Sequence, residues 1–210
     1  KCKISPPRSI IGRSKEALEK VKEDIPHANI ALYPVDVTNE AGISESIQDI
    51  HKKFGKIDVI LNNAGIARLG TSQISGSDFQ LMLSTNLIGS FHLIKAVVPI
   101  MKIQKEGYIL NLASQAGLKP EVKLGAYSAS KFGLVGYSGA LLEELAPYGI
   151  KVTTLCPGIT NTRLTKNAPG ISHEDKLQTE DIMRTIDYLL GLSGSAIVGQ
   201  IEIQPFKLLG

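Results

Sequence analysis

The sequence predicts an α/β fold, a single domain over residues 1–210 with a doubly wound, mostly parallel sheet. Three observations point there. Short apolar runs alternate with helical patterns almost throughout the chain. The 210 residues, 43% of them hydrophobic, can fill one sizeable core but hardly two. Small or polar residues also stand directly after four of the apolar runs, and open parallel sheets bind ligands beyond the carboxyl ends of their strands.

In chain order, residues 9–12 read as a short strand. A helix follows to about 24, with Ser14 as its cap and Glu16, Glu19 and Glu23 set among lysines. Residues 29–33 form a second strand and 41–54 a second helix. The run 56–61 reads as a strand, apolar apart from Lys56 and Asp58, and is expected to be buried on both faces. A long helical region covers 77–102, then a strand 107–112 and a helix 125–146. Residues 151–156 make another strand, 157–176 an irregular stretch, 179–190 a helix and 196–203 the last strand. The sequence shows no internal repeat, low-complexity tract or linker.

Composition excludes several classes of function. A net charge of +3, with no tryptophan and no basic tract interleaved with aromatics, gives no footing for nucleic acid. The longest apolar runs, 93–94 and 96–101, are interrupted and too short to span a membrane. Residues 1–7 lack the apolar core of a signal peptide, so a cytoplasmic location is expected. Cys2 and Cys156 make no disulfide framework; Cys156 closes an apolar strand and reads as a buried free thiol in a reducing compartment. His27, His51, His92 and His173 are scattered, with no metal-ligand spacing.

The chemistry concentrates in Tyr127-Ser128-Ala129-Ser130-Lys131, with Ser114 upstream. Tyrosine and lysine four apart share one helix face. A phenol titrates near pH ~10, and a nearby ammonium favours its phenolate, making it a useful general acid–base group. A serine hydroxyl aimed at the same point can hold a carbonyl oxygen. A tyrosine–lysine pair is also common on solvated helix faces. Here, however, Gly125, Ala126, Ser128, Ala129, Ser130 and Gly133 are all small, which lets a planar ligand or another helix approach the backbone. The residues after the other strands are Asp36-Val37, Asn62-Asn63-Ala64-Gly65 and Pro157-Gly158, all on the same predicted rim.

Together these motifs resemble the short-chain dehydrogenase/reductase family, over nearly the whole chain from Ser9 to about Ile203 and in the same order. The resemblance implies a single Rossmann-type domain. It implies Tyr127 as the acid/base, Lys131 holding the nicotinamide ribose and depressing the tyrosine pKa, and Ser114 orienting the substrate carbonyl. Asn86 matches the helix asparagine that anchors a proton-relaying water. Asp36 and Val37 match the pair beside the adenine, and Asn63-Ala64-Gly65 the turn along its ribose. Pro157, Gly158, Ile159, Thr160 and Thr162 match the loop that holds the carboxamide. Where NAD enzymes place a carboxylate on the ribose 2′-hydroxyl, this chain has Ile11-Gly12-Arg13-Ser14. A guanidinium suits a 2′-phosphate, so NADP(H) is expected over NAD(H).

One part of the family pattern has no counterpart. The family opens with a strand, then Thr-Gly-x-x-x-Gly-x-Gly, then a helix whose N-terminus holds the pyrophosphate. Residues 1–8 contain no glycine and include Pro6-Pro7, which argues against a central strand. The absent strand belongs mid-sheet, between the strands at 9 and 56, and its loss is expected to leave a gap with unpaired backbone groups. Three explanations stand: a sequence that omits a segment, a truncation stabilised by a partner or by rearrangement, or a non-catalytic relative. The expected activity is reduction of a ketone, or oxidation of a secondary alcohol, on a small-molecule substrate, with 3-oxoacyl thioesters as one candidate class. The competing expectation is a catalytically silent binding or assembly protein on the same fold. In either case the long helices, with Gly133, Gly136, Ser138, Gly139 and Ala140, suggest a homodimer or homotetramer.

Overall fold

A computed structural model describes residues 7–208 apart from 167 and 169; Cys2 and most of the 1–8 segment therefore lie outside the described residues. Strands β1 (Arg8–Gly12), β2 (Ile30–Pro34), β3 (Val59–Asn62), β4 (Gly107–Leu112), β5 (Ile150–Pro157) and β6 (Gln200–Ile203) alternate with helices. These are α1 (Lys15–Asp24), α2 (Glu40–Phe54), α3 (Gly76–Leu83), α4 (Gly89–Gln104), α5 (Gly125–Leu145) and α6 (Thr179–Gly191). Every strand pairing is parallel. Side chains alternate across each strand, and β4 shows the consequence. Ile109 joins Ile43, Ile47, Ile94, Val97 and Leu145 from α2, α4 and α5, while Tyr108 and Leu110 join Ile186 and Leu189 of α6. Helices thus cover the sheet from both sides, as the alternating pattern predicts. Each such fully buried aliphatic contributes about 1.5–3 kcal/mol.

The helices begin and end where local chemistry directs. Ser14, Asn39 and Ser75 each accept a backbone N–H from the first turn of α1, α2 and α3. Gly55 ends α2 in the left-handed conformation, φ 78°. The region expected as one helix over 77–102 is instead α3, a π-helical turn (Ser84–Ile88) and α4 in unbroken succession. Such a turn inserts an extra residue and frequently marks a functional site. Over one 18-residue window the Gly76–Gln104 run reaches a mean hydropathy of 1.4, long and apolar enough to cross a membrane by length and composition. That corrects the expectation drawn from the shorter runs. Its inward side, Met82, Ile94, Val97 and Met101, fills the core of this fold. The last strand is shorter than expected because Ala196 donates back to Ser193 in a turn before Gln200.

The strands form two sheets, β1-β2 and β3-β4-β5-β6, with β1 and β3 each at a sheet end. The split falls where the sequence places the absent strand. The two sheets share one core, since Ile11, Tyr33 and Val35 pack against the cluster that holds Ile60. Arg8 N–H donates to Asn29 and Tyr108 N–H to the carbonyl of Asp58. By strand alternation, the main-chain groups of Ser9 and Ile11 on β1, and of Val59 and Leu61 on β3, face away from their bonded neighbours. Among the described residues no strand pairs with them. The expectation that the third strand is buried on both faces fails here: Val59 is 41% and Leu61 44% exposed, while Ile60 is buried.

Hydrogen exchange on this chain reads the split directly. Amides of Ser9, Ile11, Val59 and Leu61 will exchange roughly 100-fold faster than those of Ile60 and Asn62. Equal protection across β3 would mean that its outer edge is paired.

Candidate active site

Five strand ends, those of β1 to β5, and the N-terminal half of α5 carry the residues of one rim. Tyr127 and Lys131 lie one turn apart on α5, with the Lys131 Nζ 5.7 Å from the centre of the Tyr127 ring. Lys131 is only 4% exposed. Its ammonium donates to the Leu112 carbonyl at the end of β4, at 2.8 Å. Burial drives its pKa down from 10.5 to about 8, with the Cys156 thiol pulling slightly the other way. Cys156 is fully buried and free, and burial pushes its own pKa up to about 11.

Ser114 follows β4 and caps a short 3-10 turn, Gln115–Gly117, accepting the Ala116 N–H at 3.1 Å. This turn lies tight on α5: a Cβ on Gly117 would stand 2.8 Å from the Lys131 carbonyl carbon and oxygen. Glycine is needed there for the approach, and the approach brings Ser114 to the phenol. Burial raises the Tyr127 pKa above 10.0; the nearby Ser114 hydroxyl lowers it, and Glu121 raises it again. The expectation that the lysine depresses this pKa is therefore not met. The ammonium is engaged by the Leu112 carbonyl, and desolvation of the phenol dominates. At neutral pH Tyr127 is a protonated donor.

Asn86 sits fully buried in the π-helical turn. Its Oδ1 accepts Ile66 N–H at 2.8 Å and its Nδ2 donates to the Ile66 carbonyl at 2.9 Å, which fixes the loop after β3. In that loop Asn63 and Gly65 are exposed. A Cβ on Gly65 would lie 3.5 Å from Asn86 Oδ1 and 3.6 Å from Lys131 Nζ, so the turn borders both.

At the other end of the rim, Arg13 Nε stands 3.7 Å from Asp36 Oδ2, both side chains well exposed. Burial raises the Asp36 pKa, but the Thr38 N–H and hydroxyl, with Arg13, outweigh it and hold the carboxyl below its usual value. Val37 packs under the start of α4, where only a glycine fits: a Cβ on Gly89 would meet Val37 Cγ2 at 2.6 Å. Pro157 ends β5, and Gly158, directly after it, adjoins Gln115 and Pro205. Ile159 and Thr160 pair with Leu177, and Thr162 caps the short turn Arg163–Thr165. Sequence reasoning missed Lys176, 4% exposed, whose ammonium donates to the Thr165 carbonyl at 2.7 Å and closes the base of this loop. A lysine ending an irregular stretch gives no signal of burial. It also missed Ser130 and Gly117, indistinguishable in sequence from their small neighbours.

A parallel sheet with a phenol, a buried ammonium and a serine converging beyond its strand ends defines an oxidoreductase-type site. The chain belongs to the short-chain dehydrogenase family, whose model matches residues 8–170. An uncharacterized oxidoreductase of Staphylococcus aureus (strain MW2) is 31% identical over 201 residues, covering 93% of this chain and 85% of that protein. Among solved structures, a beta-ketoacyl-[ACP] reductase from Bacteroides thetaiotaomicron is 35% identical with a TM-score of 0.84, over 96% of this chain and 86% of that one. ElxO with NADP bound is 30% identical with a TM-score of 0.86, over 95% and 88%.

The depressed lysine gives a pH signature. A base held at about 8 is charged below that pH and neutral above it, so its folded-state desolvation cost is present below pH 8 and relieved as pH rises towards 10.5. In an NMR titration of the lysine side chains, one Nζ will titrate near 8 and vanish in Lys131→Met. A Lys131 titrating with the surface lysines would contradict its burial.

Proposed function

We propose that this protein is an NADP(H)-dependent oxidoreductase that reduces a ketone to a secondary alcohol, or runs the reverse. The carrying observation is the meeting of Tyr127, Lys131 and Ser114 at one rim, with the phenol kept protonated by burial. The rim fits a dinucleotide at both ends. The exposed Arg13 would take the 2′-phosphate beside Asp36 and Val37. The glycine cradle at Gly65, with Asn63 and Ala64, leaves room along the ribose above Lys131. Pro157, Gly158, Ile159, Thr160 and Thr162 would hold the carboxamide. The NADP-bound ElxO likeness supports this choice of cofactor. When bound, the cofactor supplies the hydride. Ser114 holds the substrate oxygen, Tyr127 donates its proton there, and Lys131, bordered by Asn86 and Gly65, orients the ribose and carries the charge that favours proton transfer.

The likeness to the Bacteroides reductase makes 3-oxoacyl thioesters the first substrates to try. The loops flanking Tyr127 suit an apolar substrate: exposed Leu69 and Val122 stand on adjoining loops tied by the Gly70 N–H to the Lys123 carbonyl. A cytoplasmic setting fits a buried free Cys156. The second reading, a silent binding protein, draws on the split sheet, since no glycine-rich turn occurs among the described residues.

With a 3-oxoacyl thioester the purified protein will consume NADPH with a lower KM than NADH. Tyr127→Phe will reduce turnover roughly 1,000-fold without changing NADPH affinity. Undiminished turnover in that variant would refute the acid role. Failure of NADPH either to stabilise the fold or to be consumed would favour the binding-protein reading.

Self-association is proposed on the outer faces of α4 and α5. Phe91 and Phe132 are exposed there, as is Ile88 at the end of the π-helical turn, and Gly136 and Gly139 have open space at their Cβ positions. Gly133 and Ser138, by contrast, pack inward, Gly133 against Leu87. Light scattering at micromolar concentration will give a dimer or tetramer; a monomer would count against this surface.

A further inference from the structure

We propose that Ser130 is a positioning residue that locks the Tyr127 turn of α5 to the Gly65–Ile66 loop through Asn86; the proposal rests on the reductase reading of this site. Ser130 and Asn86 are both fully buried. The Ser130 hydroxyl donates to the Tyr127 carbonyl at 2.7 Å and accepts from Asn86 Nδ2 at 3.0 Å. Both Nδ2 hydrogens of Asn86 are then used, the second going to the Ile66 carbonyl, and its Oδ1 takes the Ile66 N–H. The Ile66 N–H can only donate, so the orientation of the amide is fixed by chemistry. One hydroxyl thus closes an unbroken chain of hydrogen bonds from the ribose-side loop to the backbone of the acid/base residue.

Lys131, next along the helix, is bordered by the same loop at Gly65. Small movements of that loop relative to α5 would change the distances among Tyr127, Lys131 and a bound ribose together. Without the Ser130 hydroxyl, one Asn86 N–H is buried without a partner, and the carboxamide loses the contact that holds it against α5.

Ser138, eight residues on, supplies an internal control. It too is buried, donates to a backbone carbonyl of its own helix (Leu134, i−4, 2.6 Å, where Ser130 reaches i−3) and accepts from an asparagine (Asn111 Nδ2, 2.8 Å), away from the phenol. Ser130→Ala and Ser138→Ala will lose similar thermal stability. Only Ser130→Ala will raise amide exchange at Ile66, by at least ~10-fold, and lower kcat by at least ~10-fold with a raised KM for NADPH. If Ser130→Ala does not fold, Ser130→Cys, with similar volume and weaker hydrogen bonds, is read the same way. Exchange at Ile66 equal in the two variants, or a wild-type kcat in Ser130→Ala, would overturn the proposal. If the wild type itself reduces no carbonyl substrate with NADPH, the reductase reading fails, while exchange at Ile66 still decides whether Ser130 holds the loop.

Discussion

The site depends on burying one ammonium. Placing Lys131 out of water costs several kcal/mol unless its protons are met. Among the described residues one of them is met by main chain, the Leu112 carbonyl at the end of β4, and none by a carboxylate. That solution requires backbone to come very near α5 from two sides. Gly117 brings the turn after β4 against the Lys131 carbonyl, and Gly65 brings the loop after β3 to its Nζ. The small residues of α5 serve the same end: Ala126, Ser128 and Ser130 fill no space that the loops need. Strand register, turn geometry and helix composition therefore answer to a single electrostatic constraint, and the placement of Ser114 beside the phenol follows from it.

The split sheet sets a different constraint on the same rim. β3 carries the loop that reaches Asn86 and Lys131, yet one edge of β3 has no partner among the described residues. Its attachment to the domain runs through β4 and through Ile60 in the core. β1, which carries Arg13, is joined to the rest by Ile11 and its neighbours packing on that core, without ladder hydrogen bonds to the larger sheet. The two ends of the rim are consequently held with unequal stiffness. The end that carries Tyr127 and Lys131 stands on four bonded strands, and the end that carries Arg13 on two.

Much of this was legible in the sequence. Strand–helix alternation located every described strand to within a few residues, and the Tyr127–Lys131 spacing with Ser114 and Asn86 indicated one face of one site. The predicted gap between β1 and β3 came from a missing motif and is present as a split. Three features were not legible, each because it depends on three-dimensional neighbours. Val59 and Leu61 read as buried because apolar residues in a parallel strand ordinarily are. The π-helical turn at Ser84–Ile88 has no local sequence signature and arises where Asn86 turns inward to pair with Ile66. The balance at Tyr127 went against the motif because desolvation is set by packing, which spacing does not encode.

That balance bears on direction. A phenol whose pKa is raised gives up its proton only to a stronger base, and the oxygen of a ketone becomes one as hydride reaches its carbon. A phenolate held ready would suit abstraction from an alcohol instead. The neighbours of Tyr127 pull in opposite senses: burial and Glu121 stabilise the protonated form, while the Ser114 hydroxyl stabilises the anion. Lys131 carries a charge that burial brings close to being lost near pH 8. At neutral pH burial and Glu121 therefore leave Tyr127 in its protonated form, the form that the proposed reduction would need.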